Sequence, residues 1–189
     1  MLIAHDLTIE EPMALKRYPI KLPALDPLEL PAVAKTMYPP PHDQVVKGRL
    51  KRRLGPTLGL TNLGVSLTTL MQGAASSMRH YHANNDEFVY ILDGEATLVT
   101  NAGEQLLSTG MCAGFPKGTK DGHQLVNKSE RPVIYMEVST NLLPDMVGYP
   151  DTKLYLTQDE KGRSTFSTTM PKVGGKAKAV KAKAKKKKR

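Results

Sequence analysis

Between Asn62 and about Leu156, turn residues cut the chain into short β-forming runs that recur roughly every 8–12 residues. This rhythm contains no amphipathic helix and predicts an all-β antiparallel sandwich or barrel. Val65, Leu67 and Thr69 alternate with Ser66, Thr68 and Leu70. Glu87–Leu92 and Glu95–Thr100 flank Asp93-Gly94, a dipeptide that predicts a type I′ hairpin. A second turn, Asn101-Ala102-Gly103, leads into Gln105–Leu107, and Pro116-Lys117-Gly118 precedes strands at His123–Val126 and Pro132–Val138. On the last of these, Tyr135 and Glu137 face away from Ile134, Met136 and Val138. The aliphatic set reads as the core face, which makes Tyr135 and Glu137 surface or dimer-contact residues. Cys112 reads as a small buried hydrophobe without a catalytic role.

The flanks differ in kind. Eight of the 14 prolines fall before position 42, so residues 1–45 read as an irregular arm with only short helical turns around Glu29–Ala34. Residues 46–157 then form the barrel and 158–171 an irregular linker. The segment 172–189 carries ten basic residues and no carboxylate, and reads as a disordered Lys-rich tail. The formal charge of +9 belongs to that tail, because residues 1–171 hold 17 basic and 18 acidic side chains. The body is therefore not a basic nucleic-acid-binding domain, although the tail could make weak, sequence-independent contact with nucleic acid or anionic surfaces. A solvated appendage is the plainer reading of it. No apolar run is long enough for a membrane helix, and MLIAHDLTIEEP does not read as a secretory signal. A single cysteine allows no intramolecular disulfide, so a cytoplasmic protein is expected.

Three of the five histidines carry chemical information; His5 and His42 do not. His80 and His82 are two apart, so on a strand both imidazoles project from one face while Tyr81 points away. Glu87 opens the following strand and could add a carboxylate, and His123 begins a later one and could add a third imidazole. Such nitrogen and oxygen ligands suit iron, manganese, nickel, zinc or copper. A second cluster, Lys47, Arg49, Lys51, Arg52 and Arg53, reads first as a solvated segment and alternatively as an anion-binding rim.

The spacing His80-x-His82-x4-Glu87-x6-Gly94 resembles the first motif of the cupin superfamily. Gly110-x5-Pro116-x-Gly118-x4-His123-x3-Asn127 is similar to its second. Gly73 lies one residue too far upstream, and two extra residues separate Gly118 from His123; both departures fall in turns. The resemblance implies a double-stranded β-helix, or jelly-roll barrel. It also implies one divalent metal ion held by His80, His82, Glu87 and His123, and a structural Asn127. Three imidazoles and one carboxylate on a divalent ion leave a net charge of about +1 in a recessed site.

An octahedral ion there keeps positions for an anionic, oxygen-rich small molecule. The expected function is thus a metal-dependent enzyme, with a sugar-phosphate-isomerase-like activity favoured over a dioxygenase. The alternative is a non-catalytic sensor or small-ligand-binding module, since no proton-transfer residue stands out. Barrels of this kind also pair through sheet edges and N-terminal arms, so a homodimer is expected.

Overall fold

Strands this short are stable only when a second layer covers their apolar face, and the computed structural model, which describes residues 21–171, is built on that plan. The strands are β1 (Arg49–Arg53), β2 (Leu63–Leu70), β3 (Tyr81–His82), β4 (Glu87–Asp93), β5 (Glu95–Thr100) and β6 (Gly103–Ser108). They continue with β7 (Cys112–Phe115), β8 (Gln124–Val126), β9 (Val133–Thr140), β10 (Asp145–Tyr149), β11 (Leu154–Gln158) and β12 (Ser164–Ser167). A one-turn helix, α1 (Leu54–Thr57), links β1 to β2. One wall is an antiparallel sheet in the order β1-β2-β9-β4-β7. The facing wall joins β6-β5-β8 to β12-β11-β10-β3 through isolated bridges at Ala75↔Val126 and His80↔His123. The seam between those two smaller sheets is therefore made partly by histidine backbone.

Two apolar clusters hold the walls together. One gathers Leu70, Val89, Ile91, Leu125, Val133 and Tyr135 with their neighbours, and the other Met78, Val147, Tyr149, Leu154 and Leu156. From the proline-rich segment, Tyr38 packs edge-on to Tyr149 with ring centroids 5.8 Å apart. The same segment bridges to β1 at Val33↔Lys51, and its helical turns are single 3-10 turns at Pro27–Glu29 and His42–Val46. The Lys-rich tail, 172–189, and residues 1–20 lie outside the described residues. Among the described residues, no helix is long and apolar enough to cross a membrane.

Four expectations are corrected. Asp93-Gly94 does not close a hairpin: β4 pairs with β7 and β9, whereas β5 pairs with β6 and β8. A type I′ turn needs two positive φ values, and only Gly94 has one, at +82°. The dipeptide is a corner that carries the chain from one wall to the other. The hairpin lies at the next turn, where Thr100 faces Gly103 across Asn101-Ala102. Second, Tyr135 and Glu137 point inward. Tyr135 is 1% exposed and Ile134, Met136 and Val138 are half-buried on the outer side, because the inner face borders a polar cavity. Third, Cys112 is exposed, on edge strand β7 opposite the outward-facing Tyr90. Fourth, the stretch expected as an irregular linker contains β12, paired along its length with β11.

Gly94→Ala tests the corner. A Cβ there would lie 2.9 Å from the Pro132 carbonyl oxygen and 3.3 Å from Val133 Cα, both backbone atoms. The left-handed conformation alone costs a side chain about 1–2 kcal/mol, and the clash adds to it. Urea denaturation of the variant should show at least that loss; an unchanged midpoint would mean that the corner relaxes.

Candidate metal centre

The site begins with backbone pairing. His80 N–H donates to the His123 carbonyl at 3.1 Å and His123 N–H to the His80 carbonyl at 2.9 Å, so the two residues stand directly opposite each other. Their rings lie 4.7 Å apart. Two residues on, His82 in β3 pairs with Val147 of β10, and its ring is 5.3 Å from that of His80. Tyr81 points to the other side, over Gly148, where any Cβ would strike its ring. Glu87 enters from the opposite wall as the first residue of β4.

Second contacts aim each imidazole. His80 Nδ1 lies 3.0 Å from the Met78 carbonyl, which can only accept, so Nδ1 carries the proton and Nε2 the lone pair. His82 Nδ1 is 2.5 Å from the Asp145 carboxylate, which fixes the same tautomer. The Asp145 side chain is fully buried and also accepts from Asn84 N–H. Phe115 stacks flat on His123 at 3.6 Å and sets its ring plane. His123 Nε2 approaches Glu87 Oε2 to 2.9 Å and His80 Nε2 approaches it to 3.5 Å. His82 Nε2 is 3.6 Å from Glu87 Oε1.

The ligand atoms of His80, Glu87 and His123 lie within 4.8 Å of one another, a group that could hold a metal ion. His82 stands just outside that tight set, against the second carboxylate oxygen. Three Nε2 atoms directed at one carboxylate, two of them by fixed Nδ1 contacts, fit a divalent borderline cation.

The electrostatics follow from these contacts. Burial raises the Glu87 carboxyl, but the His123, His80 and His82 imidazoles gathered against it outweigh that and hold the group well below the usual range. Burial lowers His123. It also works against charge on His82, where the Asp145 hydrogen bond and the Glu87 charge prevail and raise the net value. For Asp145 the His82 hydrogen bond overcomes burial and lowers the carboxyl.

The four residues expected to ligate metal thus line one cavity of about 310 Å³, the histidines from one wall and Glu87 from the other, with His80, Glu87 and His123 in the tightest cluster. The Cupin domain family matches residues 66–139. A sugar phosphate isomerase from a cupin superfamily, from Silicibacter pomeroyi DSS-3, is 36% identical, with a TM-score of 0.74 over 77% of this chain and 92% of that one. The chain belongs to the cupin superfamily. A proposed sugar phosphate isomerase from Acidithiobacillus ferrooxidans is 26% identical to this cupin, with a TM-score of 0.60 over 64% of this chain and 76% of that one. The polyketide cyclase of Streptomyces resistomycificus, 16% identical with a TM-score of 0.54 over 65% and 82% of the two chains, shares the fold alone. No curated protein sequence matches this one.

Asn127 is fully buried in this cupin. Its Nδ2 donates to the Leu70 and Arg131 carbonyls, and its Oδ1 accepts from Ser129. Three residues around the site escaped the sequence reading. Asp145 and Phe115 carry no local signal, since each acts through a histidine distant in sequence. Glu137 was legible only as the polar member of an alternating strand.

Proposed function

We propose that this protein is a divalent-metal-dependent isomerase of a small phosphorylated sugar, with His80, His82, Glu87 and His123 as the metal ligands. One observation carries the reading: the converging imidazoles and Glu87 open onto a cavity that also presents Arg49 and Lys51 and holds one further carboxylate, Glu137. The 36% identity to the Silicibacter sugar phosphate isomerase supports it. A bound divalent ion would supply Lewis acidity to adjacent oxygens of the substrate.

The protein's own residues supply the rest. Aldose–ketose interconversion takes a proton from the hydroxyl-bearing carbon and delivers one to the neighbouring carbonyl carbon while the hydroxyl proton passes to the carbonyl oxygen. The carbon-to-carbon transfer therefore needs a single base that can return what it takes. Apart from Glu87, Glu137 is the only carboxylate among the described residues that line the cavity. Lys51 Nζ holds its Oε1 at 2.5 Å, and the Tyr135 hydroxyl lies 3.4 Å from its Oε2. Burial pushes the Tyr135 phenol well up, so it stays a neutral donor.

The test is turnover of phosphorylated aldoses by protein loaded with iron, manganese, nickel or zinc, with and without air. Interconversion that requires metal and is indifferent to oxygen supports the isomerase. Oxygen consumption coupled to product would support a dioxygenase, and metal loading with no turnover of any sugar phosphate would favour a binding module.

A further inference from the structure

Inward-facing positions of a small barrel are ordinarily filled by apolar side chains, yet β1 reads Arg49-Leu50-Lys51-Arg52-Arg53. Its register against β2 places Arg49, Lys51 and Arg53 opposite Leu70, Thr68 and Ser66. Those β2 residues pair in turn with Val133, Tyr135 and Glu137, on the inner face of β9. Three cations therefore stand in one row on the inside of the sheet, and all three line the cavity with Lys35. One carboxylate, Glu137, answers them, through Lys51.

Arg49 is the singular member. Among the described residues no carboxylate lies within 4.0 Å of it. Its Nη1 donates to the Ser76 carbonyl at 2.6 Å, which pins one corner of the guanidinium. Its Nε is buried with no hydrogen-bond partner. Arg49 is half-buried, and a buried donor nitrogen on a cation is costly to leave unused unless an anion completes it. The planar fork of arginine matches phosphate oxygens two at a time. Along the sheet, Glu87 on β4 and the row on β1 are separated by β9 and β2, about 14 Å between strands, while across the cavity Arg49 reaches Ser76, whose neighbour Ser77 lies 3.1 Å from His80 Nδ1.

We propose that the inner face of β1 is the anion subsite of this cavity, with Arg49 as its principal contact and Lys51 as its second. The ligand class is a phosphate monoester; that choice rests on the isomerase reading, whereas the unused Nε donor of Arg49 does not. An arriving phosphate competes with Glu137 for Lys51, so binding at β1 releases the carboxylate assigned to proton transfer.

The experiment is calorimetric titration of the full chain with inorganic phosphate at constant ionic strength, as purified and after dialysis against EDTA. One saturable site is expected in both preparations. Arg49→Met and Lys51→Met should each weaken it, the former about tenfold or more. Glu137→Gln should tighten it about threefold, because the competing charge is removed, whereas a merely structural Glu137 would not strengthen binding. Metal content should be the same in all three variants.

Absence of a saturable site overturns the proposal. So does a site that persists unchanged in both cation variants, which would place binding on the Lys-rich tail or elsewhere. A site abolished by EDTA would belong to the metal and also overturns it. Phosphate binding at β1 without turnover of any sugar phosphate would leave the subsite standing and refute the isomerase. Turnover undiminished by Arg49→Met would do the reverse.

Discussion

Glu87→Gln is expected to lower metal affinity at least a hundredfold while the protein stays folded. Glutamine keeps the size of the side chain and its place at the start of β4, so the pairing of residue 87 with Ser139 and Phe115 persists. It removes the single negative charge on which His80, His82 and His123 converge at 2.9–3.6 Å. Losing a group that merely orients a metal-binding histidine costs roughly 10–100-fold in affinity, and loss of a charged ligand exceeds that. Asp145→Asn, which disturbs only the His82 tautomer, should fall within that smaller range and separates the two roles. Elemental analysis reads the occupancy directly. Chelator should lower the melting temperature of the wild-type protein and leave Glu87→Gln unmoved, since a ligand at a thousand times its Kd adds about 4 kcal/mol. A full equivalent of metal in the glutamine variant would remove Glu87 from the ligand set.

The parts of this protein that were legible in its sequence are those in which chemistry is written locally. His80 and His82 share a face because strands alternate, and that reasoning survives although β3 is only two residues long. His123 could be placed because it begins a β-forming run, one residue ahead of the observed β8, and the extra residues before it follow a turn where Gly118 has φ +77°. Residues that gain their meaning across the barrel were illegible. Glu137 and Tyr135 read as surface or dimer-contact residues only while an apolar face is equated with the core. Here the aliphatic side of β9 faces outward, and the polar side borders a cavity in which Lys51 and Thr68 provide partners. The same confusion hid β1: a run of four cations in five residues reads as solvated until register shows that alternate members point inward. Asp93-Gly94 failed for a related reason. A turn dipeptide reveals a change of direction but not the strand that the chain meets afterwards.

Glu137→Gln should reduce isomerase turnover about 10²–10⁴-fold, the usual contribution of a positioned acid–base group, with metal content unchanged. Among the described residues lining the cavity, Glu137 is the one carboxylate besides Glu87. On the proposed reading Glu87 and the three histidines hold the metal, and burial raises Tyr38, Tyr135 and Tyr149 further out of the range of a useful base. An amide still accepts from Lys51 and Tyr135, so packing around position 137 changes little, but it cannot carry a proton between neighbouring carbons. The loss should fall on kcat. With Lys51 no longer neutralised by a carboxylate, KM for the phosphorylated substrate should stay level or fall, whereas a misfolded cavity would raise KM and shed metal. Exchange of the substrate's carbon-bound hydrogen with deuterated solvent gives the second readout: wild-type protein should wash in deuterium during turnover, and the variant should lose that exchange in step with kcat. Turnover within tenfold of wild type would end the assignment of Glu137 and leave proton transfer to a group on the substrate itself.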